Sequence, residues 1–152
     1  MKAIFTYTLF LGLLLSMASC TKDKDGLVAP SIQEGIHFRY DGASFEPTEV
    51  DKSYTDGNVY FKGREEPSQT SISFIIRDRI VEGEYNFAQM HNVSMKFQPY
   101  NDELFLPVAG KFNLYELDKE SGHLKALFDC VLKSKTTGRI IQITDGSINI
   151  DY

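Results

Sequence analysis

The sequence predicts an all-β domain: an antiparallel meander of about ten short strands that forms a sandwich, with a small closed, lipocalin-like barrel as the alternative. From residue 35 onward, apolar side chains alternate with polar ones, a period of two that is typical of half-buried strands. Turn-forming segments separate these stretches at TDGN, GREEPS, VEGE, YNDE, KESG and KTTG. The best helix candidate, NLYELDKESGHLKALF, has Gly122 in its interior, which costs about 1 kcal/mol relative to alanine.

The first two strands are predicted in GIHFRYDGASFEP, with the aspartate and glycine at 41–42 as a two-residue type I′ loop. This loop places Phe38 opposite Phe45 and Tyr40 opposite Ala43, all on the inner face. Six further strands follow from alternation, near residues 58–62, 71–77, 83–87, 93–98, 111–118 and 124–133.

A second hairpin is predicted in RIIQITDGSINIDY, where another aspartate and glycine pair at 145–146 would form the loop. In this register four isoleucines share one face, and a slip of one residue would destroy the segregation. The four are Ile141, Ile143, Ile148 and Ile150.

Residues 1–19 predict a signal peptide that is removed: Lys2 precedes an apolar run that is too short for a membrane span, which needs about 20 residues. The segment MASC at 17–20 resembles the lipobox of bacterial lipoproteins, in which the cysteine thiol receives a diacylglyceryl group. The resemblance implies that Cys20 is lipidated and anchors the chain in a membrane. An ordinary signal peptide, with Cys20 incidental, is the alternative.

Residues 20–34 predict a lipidated tether, and residues 35–152 a single β-domain. The fourteen residues after Cys20 carry both charge signs and no apolar period. As flexible chain they span about 20 Å on average. Their aspartates resemble the export signal of Bacteroidota surface lipoproteins, which implies an outer-membrane location, with the cell surface favoured over the periplasmic face.

Four short motifs resemble those of a family of small Bacteroidota lipoproteins whose function is not known. They are F-x-Y-x-G at 38–42, G-x-Y at 83–85, G-K-F at 110–112 and I-T-D-G-S-I at 143–148. In this family a phenylalanine is expected where this chain has Ile148. The resemblance implies the all-β fold and the envelope location, and it implies no activity.

Charge and residue chemistry exclude several functions. The chain of 152 residues has a formal net charge of −5, and removing residues 1–19 with Lys2 leaves −6, without the basic cluster that nucleic acid requires. His37, His91 and His123 show no metal-ligand spacing, so neither a metal nor a cofactor is expected. Cys130 alternates with apolar residues and is predicted to be an unreactive core thiol. The sequence predicts no catalytic residue.

The segment QPYNDELFLPVAG crowds apolar and aromatic residues around a turn. One interpretation is that these side chains pack onto the end of the core; the other is that Tyr100, Leu104 and Phe105 contact a ligand or partner. Together these observations predict a non-enzymatic, lipid-anchored domain that binds or scaffolds a protein or glycan. A lipocalin-like carrier of a small apolar molecule is the first alternative. A small glycan hydrolase is the second, and it requires two carboxylates, or a histidine and a carboxylate, to converge in one cleft.

Overall fold

The computed structural model describes residues 30–99 and 103–152, so the predicted signal peptide, Cys20 and Tyr100 lie outside the described residues. No helix in the described part is long and apolar enough to cross a membrane. The described chain forms ten antiparallel strands: β1 (Gly35–Tyr40), β2 (Ala43–Phe45), β3 (Glu49–Thr55), β4 (Asn58–Glu65), β5 (Thr70–Arg77), β6 (Gly83–Asn86), β7 (Val93–Gln98), β8 (Phe105–Asp118), β9 (His123–Ser134) and β10 (Ile140–Asp151).

All ten strands belong to one strongly curled sheet, a half-barrel, so the all-β class and the antiparallel strands are confirmed, and the two-sheet sandwich is wrong. The strand order is β2-β1-β10-β9-β8-β7-β5-β4-β3, and β6 pairs with β8 beside this path. The two end strands, β2 and β3, are joined by residues 46–48 alone. Because this link spans at most about 14 Å, the sheet has to curl until its ends approach each other.

Contacts near the two ends show the curl directly. A Cβ atom at Gly63 on β4 would lie 3.2 Å from Cβ of Pro47 and 3.4 Å from Cδ1 of Ile36 on β1. Gly63 therefore lets the two ends of the sheet pack closely.

Phenylalanine rings fill the inner face of the sheet. Phe38 stacks on Phe45 with ring centroids 4.4 Å apart, and Phe61 stacks on Phe74 at 5.0 Å. Phe74 also meets Phe128 edge-on at 5.3 Å, which links rings from β4, β5 and β9. The interior is thus occupied by side chains that are nearly inaccessible to solvent.

The first hairpin forms with the predicted register, although Ala43 is exposed rather than buried. Phe38 lies opposite Phe45 and Tyr40 opposite Ala43, and both loop residues at 41–42 have the positive φ of a type I′ turn, 45° and 82°. The six strands predicted between the hairpins are also present, with ends shifted by a few residues. Strand β3 was not predicted, because almost all of its side chains are exposed and show no alternation.

The second predicted hairpin is wrong. Residues 140–151 form one continuous strand, and the pairing of β10 with β9 shifts register between Ile143 and Gly146, as at a β-bulge. A bulge inserts one extra residue into β10, so the side chains after it point to the opposite face from the one that strict alternation would give. The four isoleucines are therefore all buried, as predicted, although no turn separates them.

Candidate functional site

The outer face of β3, β4, β5 and β7, the face opposite the core, carries an open groove of about 310 Å3. Two rows of cross-strand neighbours build it. The first row, in strand order, is Asp51, Lys62, Ser73 and Lys96. The second row is Ser53, Tyr60, Ile75 and Ser94.

Alternation along each strand fixes which side chains face the groove. The residues between the two rows point the other way, and Phe61, Phe74 and Met95 among them are buried. The strands below the groove are therefore held by the core. A recess on strands packed in this way is preorganised for binding, since little ordering is needed when a ligand arrives.

The floor of the groove is apolar and its rim is polar. Tyr60 and Ile75 are half-buried at its centre, while Ser53 and Ser94 are exposed at the two ends of the same row. Its volume lies at the lower end of the range of about 300–1,000 Å3 that is typical of small-molecule sites. An apolar floor with a few polar groups around it is the usual composition of such sites.

The charge of this face differs from that of the whole chain. The face carries Lys62, Arg64, Arg77 and Lys96 against Glu49 and Asp51, whereas the chain has a net charge of −5. Arg64 is paired with Glu49 at 3.3 Å. Within the described part of the chain, neither groove lysine has a carboxylate within 4.0 Å.

The predicted contact residues lie at a different place. Leu104 is half-buried and Phe105 is fully buried, which is the packing expected if the turn folds onto the core. The guanidinium of Arg139 lies 5.4 Å from the centre of the Phe105 ring. Phe105 thus offers no surface to a partner in this structure, and Tyr100 is outside the described residues.

Arg139 links this turn to the first hairpin. Its nitrogens lie 3.7 Å from carboxylate oxygens of Glu103 and of Asp41. Hydrogen bonds from Ser134 and Thr137 hold the pKa of the Glu103 carboxyl below its ordinary value, with a smaller contribution from the nearby Arg139. These contacts are consistent with a structural role for the turn.

One histidine meets two carboxylates. His123 lies opposite Asp151 with Nδ1 2.6 Å from Oδ1, and its Nε2 is 4.0 Å from Oε2 of Glu116. The same Glu116 oxygen accepts a hydrogen bond from Lys125 at 2.9 Å. The hydrogen bond with His123 holds the pKa of Asp151 below its ordinary value. The sequence did not predict this cluster, because its members come from three strands.

Cys130 lies in the core, as expected from its alternation with apolar residues. Its Sγ is 3.9 Å from Sδ of Met95. Burial, with a smaller effect of the neighbouring Asp129, raises the pKa of the thiol from 9.0 to about 12. At neutral pH the group is therefore a thiol, which is a poor nucleophile and metal ligand.

The described residues contain no group of three or more His, Cys, Asp and Glu side chains placed to share a metal ion. Comparison of the chain with protein-family models, with curated proteins and with solved structures finds no match in any of the three. The resemblance of its motifs to a Bacteroidota lipoprotein family stays a prediction.

The groove could not be predicted from the sequence, because β3, which supplies one wall, shows no strand pattern. Two signals for the remaining part were present. The outward positions of SISFIIR are two serines, Ile75 and Arg77, and those of NVYFKGRE include Tyr60 and Lys62. An apolar residue at an outward position beside a tyrosine and a lysine is a weak indication of a binding surface, and only pairing in the sheet places them together.

Proposed function

We propose that this protein is a non-enzymatic binding domain that is held at the outer membrane by lipid on Cys20, and that the groove on β3, β4, β5 and β7 binds a glycan. The observation that carries the proposal is the composition of the groove. Half-buried Tyr60 and Ile75 form an apolar floor, and serine hydroxyls and lysine ammonium groups surround it. A sugar can complement both parts of the groove, because its ring faces carry C–H groups and its edges carry hydroxyls.

The size of the groove favours a glycan over a protein. A stable protein interface buries about 800 Å2 on each partner. A recess of about 310 Å3 instead suits one or two sugar units of a longer chain. Serine hydroxyls both donate and accept hydrogen bonds, so they match hydroxyl groups of a sugar in either role.

Calorimetric titration of the chain carrying Cys20→Ser tests this proposal. The probes are maltohexaose, chitohexaose, tetragalacturonic acid and a heparin hexasaccharide. We expect at least one to bind, and Tyr60→Ala to weaken that binding by about tenfold or more, because stacking on the ring is lost. The control is Tyr54→Ala, since Tyr54 is an exposed tyrosine of β3 that contacts Tyr152 outside the groove.

Equal binding by the Tyr60→Ala and Tyr54→Ala chains would contradict the choice of this groove. Failure of all four probes to bind would contradict the proposal of a glycan-binding domain.

The lipid anchor has a separate test, which is the fractionation of cells that express the full chain. Substitution Cys20→Ser removes the thiol that would be acylated, so the protein should lose its lipid mass and leave the membrane fraction. A Cys130→Ser chain is the matched control, because it removes the buried cysteine. A Cys20→Ser protein that still fractionates with membranes would contradict lipidation at this site. Protease digestion of intact cells then distinguishes the two membrane faces.

The glycan hydrolase remains a second candidate because His123, Asp151 and Glu116 converge. His123 and Asp151 are hydrogen-bonded to each other, and Lys125 already donates a hydrogen bond to Glu116. These contacts favour a structural role. Release of reducing ends from the same four saccharides, abolished by His123→Gln, would instead establish the hydrolase.

The lipocalin-like carrier remains the third candidate, and it needs interior volume for an apolar ligand. The phenylalanine rings on the inner face occupy the space between the curled ends of the sheet. Native mass spectrometry of the gently isolated protein tests the carrier. A co-purifying small molecule would favour it, and the bare protein mass would count against it.

A further inference from the structure

We propose that the glycan bound in this groove is anionic, and that a carboxylate or sulfate group on it is held between Lys62 and Lys96 above Ser73. This inference rests on the proposed function and adds the chemical class of the ligand. The carrying observation is the strand register, which places both lysines directly opposite the same serine, one on each side.

The register brings the two lysines within reach of one anion. Neighbouring strands lie about 4.8 Å apart, so the Cα atoms of Lys62 and Lys96 are about 10 Å from each other across β5. Both side chains rise from the same face, and each has a flexible four-carbon stem with three donor hydrogens on its ammonium group. Both ammonium groups can therefore contact a single anion, and the Ser73 hydroxyl below can donate a third hydrogen bond.

The charges around the site are complementary to an anion. Four cations and two carboxylates lie on this face of a chain whose net charge is −5. Lys62 is half-buried, and no carboxylate of the described residues lies within 4.0 Å of its ammonium group. A partly buried ammonium group that has no ion pair within 4.0 Å is stabilised when a ligand supplies an anion in direct contact.

Asp51 is the group that opposes binding. It lies opposite Lys62 on the side away from Ser73, where its carboxylate repels an incoming anion and attracts the Lys62 ammonium group. The proposal therefore predicts opposite effects for two neighbouring charges. Loss of a lysine weakens binding, and loss of the Asp51 charge strengthens it.

The experiment compares an anionic with a neutral saccharide in calorimetric titrations of the Cys20→Ser chain. Tetragalacturonic acid supplies carboxylates, the heparin hexasaccharide supplies sulfates, and maltohexaose is neutral. We expect at least one anionic probe to bind about tenfold or more tighter than maltohexaose, and this preference to shrink in 0.5 M salt. The anionic probe that binds tighter identifies which group the site prefers.

Variants then assign the binding to these residues. Lys62→Gln and Lys96→Gln should each weaken the anionic probe about tenfold, and Asp51→Asn should tighten it severalfold. The matched control is Lys133→Gln, which removes the same charge from an exposed position on β9 away from the groove. Circular dichroism establishes that every variant is folded.

The outcomes separate this inference from the proposed function. If maltohexaose binds as tightly as the anionic probes and the two lysine variants match the Lys133→Gln control, the inference is wrong while glycan binding stands. If no saccharide binds, both proposals are wrong. If a polyglutamate peptide binds with the same lysine dependence and the saccharides do not, the groove recognises an acidic protein segment, and both are again wrong.

Discussion

Two aspartate and glycine pairs, at residues 41–42 and 145–146, have the same local sequence and opposite structures. At 41–42 both residues have positive φ, 45° and 82°, and the chain reverses between β1 and β2. At 145–146 only Asp145 has a positive φ, 54°, and the chain continues along β9. The pair therefore permits an unusual backbone conformation without deciding whether the chain turns.

The surroundings decide between turn and bulge. Strand β9 has twelve residues, and β10 covers it along its length, from Lys133 to His123. A hairpin at 145–146 would leave half of β9 without this neighbour and expose its unpaired backbone groups. Instead the backbone N–H of Asp145, displaced at the bulge, donates to the carboxylate of Asp129 at 3.0 Å. The third such pair, at 56–57, has positive φ at both residues and forms the turn between β3 and β4.

The largest expected difference between the two sites comes from replacing each glycine by alanine. A Cβ atom at Gly146 would lie 2.3 Å from the carbonyl oxygen of Phe128 and 2.7 Å from its ring. Because a backbone atom blocks it, we expect Gly146→Ala to lower the free energy of unfolding by about 3 kcal/mol or more. Urea denaturation measures this loss.

Gly42→Ala is the matched control. A Cβ atom at Gly42 meets no atom within 4 Å, so only the left-handed backbone conformation opposes the substitution. The expected loss is about 1–2 kcal/mol. Equal losses at the two glycines would contradict a bulge that packs against Phe128.

A pH dependence is expected from the buried thiol beside the bulge. Cys130 lies opposite Ile143 at the start of the bulge, and its pKa is raised from 9.0 to about 12 in the folded protein. Between about pH 9 and pH 12 the thiol is therefore protonated in the folded state and ionised in the unfolded state. The resulting stabilisation is complete below pH 9 and is lost as the pH rises from about 9 towards 12.

This loss should reach about 2 kcal/mol at pH 10.5. The measurement is the free energy of unfolding from urea denaturation at pH 8 and pH 10.5, for the protein and for Cys130→Ala. Subtracting the change in the variant from the change in the protein removes the effect of the other titrating groups. The same slope with pH in both proteins would show that the thiol is not held in the core.

A smaller effect is expected from the side chain that supports the bulge. Asp129→Ala removes the acceptor for the Asp145 N–H, so we expect a loss of about 1 kcal/mol in the free energy of unfolding. Asp129→Asn keeps an acceptor oxygen at this place and should lose less than half as much. If Asn and Ala are equivalent, the hydrogen bond does not stabilise the bulge.

The smallest effect is expected at the hairpin tip. Asn-Gly forms type I′ turns as readily as Asp-Gly, and the carboxylate of Asp41 is 3.7 Å from the exposed Arg139 guanidinium. Asp41→Asn should therefore change the free energy of unfolding by less than about 0.5 kcal/mol. A larger loss in thermal denaturation would mean that the Asp41 charge, rather than the turn preference, holds this hairpin.

The strand predictions succeeded where burial imposes alternation and failed where it does not. SISFIIR in β5 places Ile72, Phe74 and Ile76 on the inner face, and all three are buried. The edge strand β3 has no such pattern, because it is exposed along most of its length. Its Lys52 lies opposite the buried Phe61, and a charge on the inner face of an edge discourages pairing with another sheet.

The candidate groove and the histidine cluster were beyond sequence analysis for the same reason. Lys62, Ser73 and Lys96 are each more than ten residues apart along the chain and become neighbours through the register of three strands. His123, Asp151 and Glu116 meet in the same way. A register depends on which strands pair, and no local motif specifies that choice.

The all-β class, the first hairpin and most of the residues that enter the core follow from the sequence, because alternation and turn chemistry act over a few neighbouring residues. That the strands form one curled sheet rather than two packed ones follows only from long-range pairing. The same pairing decided that Asp145 lies in a bulge. Half-buried strands have the same alternation of apolar and polar residues in a sandwich and in a half-barrel. A turn at 145–146 and a bulge at 145–146 both bury the same four isoleucines. Only pairing between distant strands, which satisfies their backbone hydrogen bonds, distinguishes the alternatives.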